Sequence, residues 1–170
     1  MKKLLYVAFA IFAFTSCEQQ KIGFVDNGKV INEYQEKIDI EEKYKVKDEA
    51  FKKRTDSIGQ AFQIEAQAFQ SKSSKMSQKK AQEAYDGLMQ KQQMLQQQIQ
   101  FEQQQITKAF QTEIDSTIIK VKDFVKDYGK TNGFTYILGT SDGASSVLYG
   151  TEENDLSQTI IDALNAQYKK

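Results

Sequence analysis

Few side chains in this sequence could move a proton or hold a metal. The 170 residues include no histidine, no proline, no tryptophan and one cysteine. Without histidine, the usual general base near neutral pH is missing, and so is the commonest metal ligand. A single thiol, Cys17, makes neither an internal disulfide nor a zinc cluster. Asp26, Asp142 and Asp155 are the polar residues that an enzyme would use, but turns and helix caps account for them better. No Ser/His/Asp set and no phosphate loop is present. The expectation is no enzymatic activity, no cofactor and no metal. The 23 basic residues balance the 23 acidic ones, so there is no global basic footprint for nucleic acid.

What remains is adhesive chemistry. Phe51, Ile64, Phe69, Met76, Met89, Met94 and Phe101 are apolar residues in a polar central region. Most would serve a helix seam. Those that fall off the seam, Ile64 and Phe101 above all, could hold an unfolded chain through weak contacts, and methionine suits that role because it is flexible and polarizable. Between residues 52 and 80, Lys52, Lys53, Arg54, Lys72, Lys75, Lys79 and Lys80 face only Asp56 and Glu65, a local excess of five positive charges. Such a run attracts acidic partners or lipid headgroups, or is simply a solvated helix face.

These residues need long helices to carry them, and a proline-free chain permits that. Residues 21–26 read as a short strand, with Asp26 or Asn27 as the cap of a following helix. From Val30 to about Gln70, Val30, Tyr34, Tyr44, Phe51, Ile58, Phe62 and Phe69 share one heptad phase, interrupted by Lys37, Glu41, Asp48, Thr55 and Glu65. The serine-rich stretch 71–77 predicts a turn. A second stripe runs from Ala81 to Tyr128, with Gln92 and Glu102 in its gaps and Gly129 as its C-terminal cap. Ten of the sixteen residues from Gln90 to Gln105 are glutamine, read as a solvated coiled-coil face because glutamine is a good uncharged helix former. Two helices of this length are most simply an antiparallel hairpin. A turn near Ser73 would set Gly59 opposite Gly87, and two glycines at one level predict a hinge.

After Gly129, residues 134–138 and 146–149 predict a β-hairpin, and Asp155 with Gln158 predicts a capping box before a short helix. The fold class is mainly α with a small β body: body residues 21–28 and 130–170, and hairpin arm residues 29–129. A body of roughly 60 residues buries only a marginal core alone, so self-association is expected.

The first residues read as an address. Lys2 and Lys3 precede an apolar run, Leu4–Phe14, and then Thr15-Ser16-Cys17, the layout of a secretory signal. A small residue directly before the cysteine resembles a bacterial lipoprotein signal, in which residues 1–16 are removed and Cys17 is lipidated. The mature chain then carries 21 basic and 23 acidic residues.

The whole layout resembles the Skp/OmpH family of periplasmic chaperones. Lys21-Ile22-Gly23-Phe24-Val25-Asp26 leading to Lys29-Val30-Ile31 and Tyr34 carries the resemblance at one end. Tyr136-Ile137-Leu138, Val147-Leu148-Tyr149, Asp155-Leu156-Ser157-Gln158, Ile160-Ile161 and Leu164-Asn165 carry it at the other. The resemblance implies a homotrimer of jellyfish-like form, whose arms enclose a cavity for unfolded outer-membrane proteins, working without ATP. It places the protein on the periplasmic side of the cell envelope, with the lipid anchor joining it to the outer or inner membrane. The best-known members are strongly basic and bind lipopolysaccharide through that charge; the near-neutral mature chain gives no support for carrying that property over. The alternative is a structural coiled-coil lipoprotein, a spacer or scaffold for one specific partner.

Overall fold

The computed structural model describes residues 20–141, 143 and 146–169. Cys17 and Asp142 lie outside the described residues. The elements are β1 (Ile22–Asp26), α1 (Asn27–Glu33), α2 (Gln35–Ser73), α3 (Gln78–Thr131), β2 (Tyr136–Thr140), a short 3-10 turn (Glu152–Asn154) and α4 (Ser157–Tyr168). The described residues divide into two compact units, one made of those up to residue 32 and those from residue 121 onward, the other of residues 33–120.

In the first unit, β1 and β2 run parallel, in register from Ile22 opposite Tyr136 to Asp26 opposite Thr140. Parallel strands need a long crossover, and here the crossover contains α1, α2 and α3. On its other side β1 bridges Asp155 in parallel, and the Leu156 N–H donates to the Phe24 carbonyl at 2.9 Å. The expected hairpin of residues 134–138 with 146–149 is not formed: residues 147–149 are outside any strand, and Leu148 and Tyr149 are 92% and 86% exposed. The route of the chain explains this. Gly150 lies against the Phe24 ring so closely that an added Cβ would sit 2.4 Å from the ring edge, and the chain is thereby led to the free side of β1 instead of back along β2. The core is Val25, Val30, Val121, Leu156, Ile160, Ile161 and Leu164, all buried.

Helix ends were legible in type more than in place. Asp26 caps α1, its Oδ1 accepting from the Lys29 N–H at 3.0 Å. α1 and α2 are not continuous, because Tyr34 leaves the helical region (φ −72°, ψ 121°). α3 passes through Gly129 and ends beyond it. There the Phe134 N–H donates to the Gly129 carbonyl and the Gly133 N–H to the Lys130 carbonyl, with Gly133 at φ +69°. This is the paired closure that a left-handed glycine permits. The rings of Tyr128 and Phe134 supply its apolar contact, 6.2 Å apart. Gly129, expected as the cap, is instead buried against Ile137, which an added Cβ would approach to 3.1 Å.

At α4 the expected capping box is half realised. Asp155 Oδ1 accepts from the Ser157 backbone N–H at 2.8 Å and from its hydroxyl at 2.5 Å. Gln158 does not reach back; it donates to Asp162, 3.0 Å away. The Ser157 hydroxyl accepts from the Asp26 N–H at 2.8 Å and is thus a buried relay from β1 to Asp155. Both aspartates are accounted for as caps. Ser157→Ala would strand the Asp26 N–H, and we expect a loss of about 1–3 kcal/mol in thermal or urea unfolding; an unchanged midpoint would show that the relay contributes nothing.

Candidate functional site

The second unit is an antiparallel pair, α2 against α3 as far as residue 120. α3 in full is 54 residues, or about 80 Å at ~1.5 Å per residue. Ser74–Ser77 joins the two helices, within the predicted turn. Along α2 the residues turned to the seam are Ile40 and Tyr44, which are buried, then Phe51, Thr55, Ile58, Phe62, Ala66 and Phe69, which are half-buried. The steps are threes and fours, the spacing of a coiled-coil seam, with one skipped turn at Asp48 and two consecutive fours from Ile58 to Ala66. Ala66 holds the place the sequence pattern assigned to Glu65, which is exposed. Along α3 the matching row is Leu88, Gln92, Leu95, Ile99, Glu102, Ile106, Phe110 and Thr117. The Tyr44 and Phe110 rings meet at 5.2 Å and those of Phe69 and Tyr85 at 6.4 Å. Where Asp48 replaces an apolar residue in the row, it stays exposed, and an open groove of about 400 Å³ is left beside Tyr44, Ile106 and Phe110.

Ion pairs flank the seam: Glu36–Lys120, Lys43–Glu113, Arg54–Glu102 and Glu65–Lys91. In all four the residue numbers add to 156. The two ring pairs add to 154. This register corrects the expected opposition of Gly59 and Gly87. Gly59 is level with residues 95–97 and Gly87 with residues 67–69, so the two weak points lie about ten residues apart and form no common hinge. The turn was placed near Ser73, and the pairing centres on residue 78. An added Cβ at either glycine meets nothing within 4 Å, so close helix packing does not explain them either.

The apolar candidates separate into two groups. Phe51 and Phe69 belong to the seam, half-buried, and are not free to bind anything else. Ile64, Met94 and Phe101 are 67%, 62% and 63% exposed, on the sides of their helices turned away from the seam. Met76, in the turn, and Met89 are less open, at 36% and 38%. Val46 and Ile119, at 61% and 58%, join the exposed set; sequence reasoning passed over them, although their heptad phase already put both off the seam.

The seven basic residues likewise form two groups. Lys72, Lys75, Lys79 and Lys80 surround the turn, all exposed. Lys52, Lys53 and Arg54 lie about 19 residues earlier on α2, roughly 30 Å along the helix, and Arg54 is engaged with Glu102.

One cluster has perturbed acid–base properties. Lys43 Nζ donates to both oxygens of Glu113 at 2.7 Å, and the Tyr44 hydroxyl donates to Oε1 at 2.8 Å. The bond from Lys43, then that from Tyr44, holds the Glu113 carboxyl below its ordinary range, against an opposing effect of burial. Burial first, then the bond to Glu113, pushes the Tyr44 hydroxyl above its ordinary range. The cluster ties the two helices together.

The sequence matches the family described as outer membrane protein (OmpH-like) over residues 21–164. No curated protein matches it. Among solved structures, a crystal structure from Caulobacter crescentus CB15, assigned as an OmpH-like outer membrane chaperone, has a similar fold. Its TM-score is 0.76 at 14% identity, covering 87% of this chain and 85% of that one.

The shifts of Glu113 and Tyr44 contribute a pH dependence to the stability of this unit. A depressed carboxylate pKa contributes stability that is present above the unfolded value and lost as pH falls through the folded one; a raised tyrosine pKa contributes stability present below the unfolded value and lost as pH rises through the folded one. Helical melting followed by circular dichroism should therefore show a plateau around neutrality with an acid and an alkaline limb. Glu113→Gln should shrink the acid limb and Tyr44→Phe the alkaline limb. Limbs unchanged in both variants would refute the linkage.

Proposed function

The chain belongs to the OmpH-like outer membrane protein family, and on that premise we propose that it is an ATP-independent holdase chaperone that keeps unfolded outer-membrane proteins from aggregating on the periplasmic side of the cell envelope. The observation that carries the reading is the hairpin itself. It presents exposed apolar side chains, Ile64, Met94 and Phe101 among them, on the outward sides of a helical pair. A folded ligand needs a shaped pocket. An unfolded chain has no fixed shape, and scattered weak contacts suit it better. The four lysines around the turn add an attractive field for acidic segments of such clients.

The working form in this proposal is a homotrimer. Support comes from the first unit, where Leu148 and Tyr149 stand almost fully exposed, with Tyr136 and Leu138 of β2 at 56% and 41%. So much open apolar surface on a small unit favours burial by further copies. Cys17 carries the lipid anchor, and several acyl chains per assembly make attachment lasting where one alone is marginal.

The mature protein should suppress light scattering by a urea-unfolded outer-membrane β-barrel protein diluted into buffer without nucleotide, and should have the native mass of a trimer. A protein that leaves scattering unchanged is no holdase, and a monomer or dimer that binds one folded envelope protein would be the scaffold. Cys17→Ala should move the protein from the detergent phase to the aqueous phase on Triton X-114 partition. Continued partition into detergent would dismiss the lipid anchor.

A further inference from the structure

The stretch of α3 from Gly87 to Thr107 contains two charged residues, Lys91 and Glu102. Both are consumed by α2: Lys91 pairs with Glu65, and Glu102 with Arg54. Between Asp86 and Lys108 the helix therefore offers about 30 Å of surface without an unpaired charge. At 100° per residue, Gln90, Gln93, Met94, Gln97, Phe101 and Gln104 fall on the face opposite the seam. All six are exposed, Met94 and Phe101 by more than half.

A solvated helix face carries charged or polar residues, usually a mixture of both. This one carries primary amides around a thioether and an aromatic ring. Each glutamine amide offers two N–H donors and a carbonyl acceptor, the same groups as a peptide bond. An unfolded polypeptide exposes peptide groups that have lost their strand partners, together with apolar side chains, and both find complements here without a charge having to be desolvated.

We propose that this amide face of α3 is the client-contact surface of the hairpin, and that its ligand class is the uncharged, aromatic-containing stretches of unfolded outer-membrane polypeptides, held through backbone hydrogen bonds to glutamine and apolar contact with Met94 and Phe101. The assignment rests on the holdase reading and specifies where and how it acts. Capture at this face is insensitive to salt, in contrast to capture by the lysines at the turn, which screening would weaken.

The test uses the mature full-length protein and a fluorescently labelled, urea-unfolded outer-membrane β-barrel protein as probe, titrated from low to high sodium chloride. The wild type should bind with an affinity that changes by no more than about twofold across that range. Gln93→Glu/Gln97→Glu/Gln104→Glu keeps helix propensity nearly constant and should weaken binding about tenfold at low salt, with partial recovery at high salt as the new charges are screened. Met94→Ser/Phe101→Ser should weaken it at every salt concentration. Circular dichroism checks that both variants remain helical; if the serine variant unfolds, the glutamate variant decides alone. A wild type that holds the probe while both variants bind equally well overturns the assignment and leaves the holdase reading standing. A wild type that binds only at low salt puts capture at the lysines and overturns it too. A variant whose native mass falls with its binding shows the face to be a contact between copies. A wild type that does not bind the probe at all overturns both readings.

Discussion

Four ion pairs cross from α2 to α3, and a single register satisfies all of them. Apolar seams repeat every seven residues, so burial alone would tolerate a slip of one heptad. The charges do not. A slip one way would set Lys43 against Lys120, and a slip the other way would set Glu36 against Glu113. Surface ion pairs of this kind stabilise little by themselves. Their larger effect is on the alternatives, which exchange attraction for repulsion. The position of every other side chain along the hairpin follows from that register: which residues face each other, where Asp48 opens the groove, and why Gly59 and Gly87 do not share a level.

The same pairs shape the chemistry of the surface. By drawing Lys91 and Glu102 toward α2, they leave the outward face of α3 neutral over several turns. A chain with equal numbers of acidic and basic residues thus presents separate regions, a basic turn at one end of the hairpin and an amide face next to it. Net charge describes neither.

Much of this was legible in sequence because helices have a period. The heptad rows of α2 and α3, the serine turn and the exposure of Ile64 and Phe101 all follow from counting in threes and fours. The errors occurred where position along the chain depends on something outside the local pattern. Glu65 fits the row as well as Ala66 does by spacing, and which of them is turned inward depends on the phase of the partner helix. Gly129 looks like a cap, but Ile137, eight residues later, packs on it, and the helix runs on to Thr131 and closes at Gly133. Residues 146–149 have the composition of a strand. They are left unpaired because Gly150 passes over Phe24 and delivers Asp155 to the edge of β1.

The sequence by itself determined the inventory: a side-chain set without histidine, a proline-free stretch long enough for two helices, and a seam of the right period. These are properties of single residues and their spacing. The tertiary structure alone decided the register and the sheet partners. Both are choices among arrangements of nearly equal local energy, and only contacts between residues far apart in the chain, Glu36 with Lys120 or Phe24 with Gly150, distinguish them.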